Sequence, residues 1–138
     1  MITALLIGVV LFILGLSLHL GMLRLAKRVS PPGRAPRGPR LVGGSLIVLV
    51  SHLAVAALFA LGFAFAASLG LGGVAKEPSM TWMDYYYFSL ITVTTVGLGD
   101  IYPTQHLRVI TGIASLTGFL LISCSAQYVY QTMSKQEE

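Results

Sequence analysis

Three long apolar runs, interrupted by two polar breaks and one short mixed stretch, dominate this chain. Ile2 to about Leu23 is nearly unbroken apolar sequence, about 20 residues, which is enough to cross a bilayer core. Leu41 to about Leu71 is a second run, long enough to span with tilt, and contains Ser45, Ser51 and His52. His106 to about Tyr130 is a third, with Tyr128 and Tyr130 where an interfacial aromatic belt belongs. Thr81 to Val93 (TWMDYYYFSLITV) is too short to span and predicts a re-entrant or buried helix. Ser79 or Thr81 is its candidate cap, and Asp84 in the first turn suits the helix dipole.

The breaks are equally readable. Residues 29–40 carry Pro31, Pro32, Pro36 and Pro39 with Gly33 and Gly38, a composition that predicts a polar loop. Gly70 to Met80 is a turn-rich exit from the second run. The predicted division is an additional N-terminal spanning helix at 1–25, a basic Pro/Gly-rich loop at 26–40 and a main unit at 41–132. Within that unit fall an outer helix at 41–71, a short helix at 81–93, a loop at 94–100 and an inner helix at 106–131. A short tail, 133–138, follows. The expected fold class is an all-α membrane protein, with three transmembrane helices plus a re-entrant helix and loop.

Composition agrees. Hydrophobic residues make up 55% of the chain and charged residues 10%, with a mean hydropathy of +0.81. Soluble domains carry about 25% charged residues, so most of this surface has to face lipid. The first run is not a cleaved signal peptide on this reading, because its positive charge follows the apolar stretch instead of preceding it.

The net charge of +4 is unevenly placed. Arg24, Lys27, Arg28, Arg34, Arg37 and Arg40 all lie between the first two runs, and no acid shares that segment. Such a cluster marks a loop held on the cytoplasmic side and draws anionic lipid headgroups. The N-terminus is then expected outside and the C-terminus in the cytoplasm, in a multi-pass protein of the cell membrane. Nothing resembles a basic, aromatic-bearing surface that would read nucleic acid. Cys124 is the single cysteine, so no intrachain disulfide forms. No metal-ligand spacing, nucleophile motif or phosphate cradle is present, and an enzyme is not expected. His52, near the middle of the second run, is a candidate ionisable group or a neutral histidine hydrogen-bonded between helices. His19 is expected simply to pack.

The informative segment is Thr92-Val93-Thr94-Thr95-Val96-Gly97-Leu98-Gly99-Asp100. Irregular backbone at membrane depth survives only where it is buried in protein or lines a water-filled path. Several copies around an axis can turn carbonyl oxygens inward and replace the water shell of a cation. Gly97 and Gly99 supply backbone angles that a residue with a Cβ adopts poorly. The short helix would aim its partially negative C-terminal end at the centre of the membrane, which favours a cation there.

This segment resembles the signature of the potassium channel pore family, T-x-T-T-V-G-Y-G-D, matching it at seven positions. Tyr87-Phe88-Ser89 also resembles the pore-helix entry of small bacterial members. The likeness covers Leu41 to about Gln131. It implies a homotetramer with Thr95, Val96, Gly97, Leu98 and Gly99 as the ion-coordinating filter. K+ would be held at Thr95, Val96, Gly97 and Leu98, without an organic cofactor. Thr94, Asp100 and Tyr87 would support the filter, Tyr87 as the aromatic partner of Asp100. Leu98 departs from the family's usual tyrosine, and Ile91 stands where some members carry a buried glutamate.

Gly118 falls near the family's inner-helix hinge, although a glycine there equally permits close packing. Counted at helical spacing from Gly118, Phe119, Ile122, Ala126 and Tyr130 face the axis and form a candidate apolar gate. The function expected is a potassium-selective channel subunit. The alternatives are a weakly selective cation channel, or a non-conducting subunit that assembles with a partner.

Overall fold

The computed structural model describes residues 1–29, 37–75 and 80–134. Its elements are α1 (Ile2–Val29), α2 (Arg37–Ser68), β1 (Val74–Ala75), α3 (Trp82–Val93), β2 (Tyr102–Pro103) and α4 (Leu107–Ser134). Arg34, Ser79, Lys76, Glu77 and residues 135–138 lie outside the described residues.

α1 and α4 have 28 residues each and α2 has 32, about 42 to 48 Å of helix against a hydrocarbon core of about 30 Å. All three are long and apolar enough to cross a membrane. α3, with 12 residues, reaches only about 18 Å.

α1 buries Ala4, Gly8, Leu11, Gly15, His19, Leu23 and Ala26, a stripe stepping by three and four residues. Small side chains alternate with leucine along it, which lets the backbone of α1 settle against α2 and α4. Its other faces leave Leu5, Leu6, Val9, Val10, Ile13 and Leu14 exposed, apolar surface that lipid would cover. The principal core joins Val55, Phe59 and Phe63 of α2, Phe88 of α3 and Leu107, Ile110 and Leu121 of α4. Phe63 and Phe88 meet with ring centroids 5.0 Å apart. A second cluster, at the opposite end of the bundle, joins Leu23 and Ala26 to Tyr128.

Four features differ from the sequence expectation. α1 continues through Arg24, Lys27 and Arg28 to Val29, and basic residues in a last turn suit the helix dipole. α2 begins at Arg37, inside the expected loop, with Pro39 as its third residue. Proline is tolerated there because the first-turn N–H groups have no intrahelical partner. The two histidines exchange roles. His19 is fully buried between helices, its Nδ1 2.7 Å from Ser51 Oγ and its Nε2 3.1 Å from Ser125 Oγ. His52 instead donates from Nδ1 to the carbonyl of Val48 in its own helix, at 2.9 Å. Finally, β1 and β2 pair antiparallel, Val74 opposite Pro103 and Ala75 opposite Tyr102. Thr104 N–H donates to the Gly73 carbonyl at 2.8 Å and His106 N–H to that of Leu71 at 3.0 Å. The chain leaving α2 is thereby stitched to the chain entering α4.

Candidate ion-conducting site

α3 starts at a capping box. Thr81 is the N-cap, its Oγ1 accepting from Asp84 N–H, while Asp84 Oδ2 accepts from Thr81 N–H at 2.8 Å. The two orphan donors are satisfied reciprocally, so the helix begins at a defined residue. Ser79 is not needed for the cap.

The far end of α3 lies at mid-depth in the bundle. Ser89 Oγ donates to the Ala56 carbonyl at 2.6 Å, and Ala56 stands 12 residues before the end of α2. Val93 abuts Gly118, which stands 11 residues into α4, about 16 Å along its axis. Between them these contacts make α3 re-entrant: it descends part-way and its C-terminal end stops near the centre. A Cβ at position 118 would fall on the Val93 carbonyl, so only glycine lets α4 approach this closely. Ser115 Oγ, one turn before, donates to the Thr92 carbonyl at 3.3 Å.

From Thr94 the chain runs back towards its starting level. Thr94 and Thr95 donate their N–H groups to the Leu90 and Thr92 carbonyls, and Gly97 donates to Ile91, each at 3.0 Å. Beyond that the backbone turns irregular in a patterned way. Thr95, Gly97 and Gly99 have φ of 61°, 55° and 81°, whereas Val96 and Leu98 are not in the positive region. Alternating the hand at every second residue is a backbone pattern suited to turning neighbouring carbonyls to one side. Thr95 holds a left-handed angle that residues with a Cβ seldom adopt. At Gly97 and Gly99 there is open space around the missing Cβ, so the angle alone calls for glycine.

Among the described residues, no carbonyl from Thr94 to Gly99 accepts a hydrogen bond. Unpaired carbonyls at this depth need another positive partner. Val96 and Leu98 are 59% and 64% exposed, although both are apolar. A cavity of about 290 Å³ separates this strand from α3 and α4, lined in part by Thr92, Thr95, Gly97, Thr111 and Ser115. The single chain therefore presents an unfinished wall.

Asp100 closes the segment. Its Oδ2 accepts from the Tyr87 phenol at 2.9 Å and its Oδ1 from Ile101 N–H at 3.1 Å. The hydrogen bond to Asp100 raises the Tyr87 phenol above its ordinary pKa, with desolvation and the carboxylate charge acting in the same direction. Asp100 thus tethers the outer end of the strand to the outer half of α3.

A sequence model of the ion channel family (Ion_trans_2) matches residues 46–135. The chain belongs to this ion channel family. No curated protein and no solved structure matches the chain. The match spans most of α2, then α3, the irregular strand and α4, while α1 of this channel lies outside it. The pore-domain resemblance read from the sequence and the all-α, channel-like membrane fold are thereby shown.

Of the residues singled out in the sequence, Thr94 to Asp100 and Tyr87 come together in this one region of the channel. Phe119, Ile122, Ala126 and Tyr130 are each exposed on α4 in the single chain, and Tyr130 also borders the start of α2. Ser115 and the β1–β2 clasp escaped notice, and Ser89 was marked only by its place in the pore-helix likeness. The serines sit on the buried faces of α3 and α4, and hydroxyls in apolar helices were the available signal. Nothing in so short a pair of strands would have marked the clasp.

Proposed function

We propose that this ion channel protein is one of four identical subunits of a potassium-selective channel. The observation that carries the reading is the alternation of hand at Thr95, Gly97 and Gly99 beside carbonyls without partners. One strand supplies only a fraction of a coordination cage, and the exposed Val96 and Leu98 leave it unfinished. Four strands about an axis would surround a dehydrated K+ with the oxygens of Thr95, Val96, Gly97 and Leu98. The Thr95 hydroxyl would complete the innermost site, with Gly99 at the outer turn and Thr94, Asp100 and Tyr87 holding the strand. The dipole of α3 adds partial negative charge at the centre of the membrane.

Phe119, Ile122, Ala126 and Tyr130 would face the conduction path below the filter, where an apolar constriction gates by dewetting. The basic ends, with Arg24, Lys27, Arg28 and Arg40, would lie on the cytoplasmic side, together with Arg34 and Arg37, close to anionic lipids. The N-terminus is then outside and the C-terminus inside.

The test is flux through purified protein in liposomes, with K+ and Na+ compared under equal gradients, alongside the mass of the purified assembly. Rapid K+ flux with little Na+ flux from a tetramer is expected. Equal fluxes would favour a weakly selective cation channel, for which Leu98 is the motivating residue. An absence of flux would favour a subunit that needs a partner.

A further inference from the structure

At the basic end of the bundle, a cavity of about 450 Å³ opens between the start of α2 and the end of α4. Gly38, Arg40 and Leu41 line it from one side, and Tyr130, Thr132 and Ser134 from the other. Arg40 is only 7% exposed, and its Nε is buried without a hydrogen-bond partner. A guanidinium stays charged under all ordinary conditions and offers five donors in a planar fork. Burying it with no counter-charge is costly, and a bound anion removes the cost.

No anion is available from the surrounding helices. α1, α2 and α4 contain no aspartate or glutamate at all. Among the described side chains, the other charges at this end are Arg24, Lys27 and Arg28, all exposed and all positive, while Glu137 and Glu138 lie outside the described residues. The first turn of α2 adds the positive end of a long helix dipole. Thr132 spends its hydroxyl proton on the Tyr128 carbonyl at 2.8 Å, which leaves the Ser134 hydroxyl as a further donor. Every polar group facing the cavity with a proton to give suits an acceptor-rich, negatively charged guest. The volume falls within the range of small-molecule sites, about 300 to 1,000 Å³.

We propose that this cavity is a stoichiometric phosphate-binding site, one per subunit, in which Arg40 grips the phosphate group of an anionic lipid headgroup or of a free phosphate. The site is distinct from diffuse attraction of lipid to the basic surface. It joins the first turn of α2 to the last turn of α4, so its occupancy fixes the spacing between the outer helix and the end of the inner helix. The proposal rests on the reading of α2 and α4 as membrane-spanning helices, which puts their ends at headgroup level, and does not depend on which ion the channel passes.

The experiment is native mass spectrometry of the purified full-length protein with phosphatidic acid, with phosphatidylcholine, and with inorganic phosphate as competitor. Saturable binding of one phosphatidic acid per subunit is expected, at least tenfold weaker in R40Q. The triple variant R24Q/K27Q/R28Q should change it less than threefold. Displacement by inorganic phosphate identifies the phosphate group alone as the ligand, and its failure to displace assigns the site to the lipid. Equal binding by R40Q and the unaltered protein, or an equal loss in the triple variant, overturns the proposal. R40K keeps the charge but not the fork and serves as the second variant if R40Q loses its helical circular dichroism; weakened binding by folded R40K is the expected result, and undiminished binding also overturns the site. Because binding is read without any ion movement, a protein that fails to conduct yet binds through Arg40 refutes only the channel reading.

Discussion

His19 Nε2 lies 3.1 Å from Ser125 Oγ, a contact between the first helix and the inner helix across 106 positions of sequence. The hydroxyl proton of Ser125 goes to the Leu121 carbonyl at 2.8 Å, so its oxygen accepts from an Nε2–H. The Nδ1 lone pair is then left to accept from Ser51, and one neutral ring ties α1 to both α2 and α4. Replacing His19 with Leu leaves the Ser51 hydroxyl without its acceptor in an apolar interior, a loss of about 1 to 3 kcal/mol. A cycle with Ser125→Ala, read by denaturant unfolding in detergent, should give a coupling of about 0.5 to 3 kcal/mol. Strict additivity of the two losses would mean that the contact carries no energy of its own.

The contact of Gly118 with the Val93 carbonyl leads to a second expectation. Gly118→Ala would put a methyl group on backbone at the end of α3, where a rotamer change gives no relief. Overpacking of this kind costs about 1 to 3 kcal/mol. Gly21→Ala is the control, since nothing lies within 4 Å of its missing Cβ, and the better helix former should gain up to about 1 kcal/mol. Both are read as the unfolding midpoint of the purified protein. A residue serving only as a hinge would leave that midpoint unmoved in Gly118→Ala and change the open fraction alone.

The three spanning helices and the short helix were legible because each declares itself within its own segment. Uninterrupted apolar length marks α1, α2 and α4, and the start of α3 was narrowed to a cap at Ser79 or Thr81, of which the structure uses Thr81. What escaped depends on pairs of residues far apart in sequence. Nothing local distinguishes His19, which meets serines on two other helices, from His52, which bonds back to its own. Pro39 misled for a related reason: proline argues against a helix interior but not against a first turn. The strand from Thr95 to Gly99 was recognisable by its glycines, whereas the left-handed angle at Thr95 was not, since threonine carries no signal for it.

The Tyr87–Asp100 hydrogen bond predicts an alkaline limit. The Tyr87 phenol is raised above its ordinary value of 10.0 by Asp100, so folding favours the protonated phenol. The stabilisation is therefore present below about pH 10 and drains away as pH rises through the elevated value, where the phenolate faces a carboxylate. Tyr87→Phe removes the donor and with it this contribution. The difference in unfolding midpoint between the unaltered protein and Tyr87→Phe should hold from pH 7 to 9 and shrink above that. A difference that grows with pH would assign the bond the wrong sign.

Leu98 bears on selectivity. Its side chain is 64% exposed in the single chain and has no polar atom with which to brace the strand against a neighbour. In the proposed tetramer, tyrosine at this position would add a phenol at the rim of the exposed surface, able to reach a hydrogen-bond acceptor in the adjoining subunit. One such bond contributes about 0.5 to 1.5 kcal/mol. A stiffer strand holds its carbonyls at a spacing that suits one ion radius and resists collapse around a smaller one. Leu98→Tyr is therefore expected to raise the K+ over Na+ permeability ratio by up to about tenfold, the equivalent of about 1.4 kcal/mol in relative barrier height. The ratio is measured from reversal potentials in planar bilayers, with Leu98→Phe as the control for ring size without the hydroxyl. Equal ratios for the tyrosine and phenylalanine variants would assign the effect to bulk, and no change in either would separate selectivity from the side chain at this position.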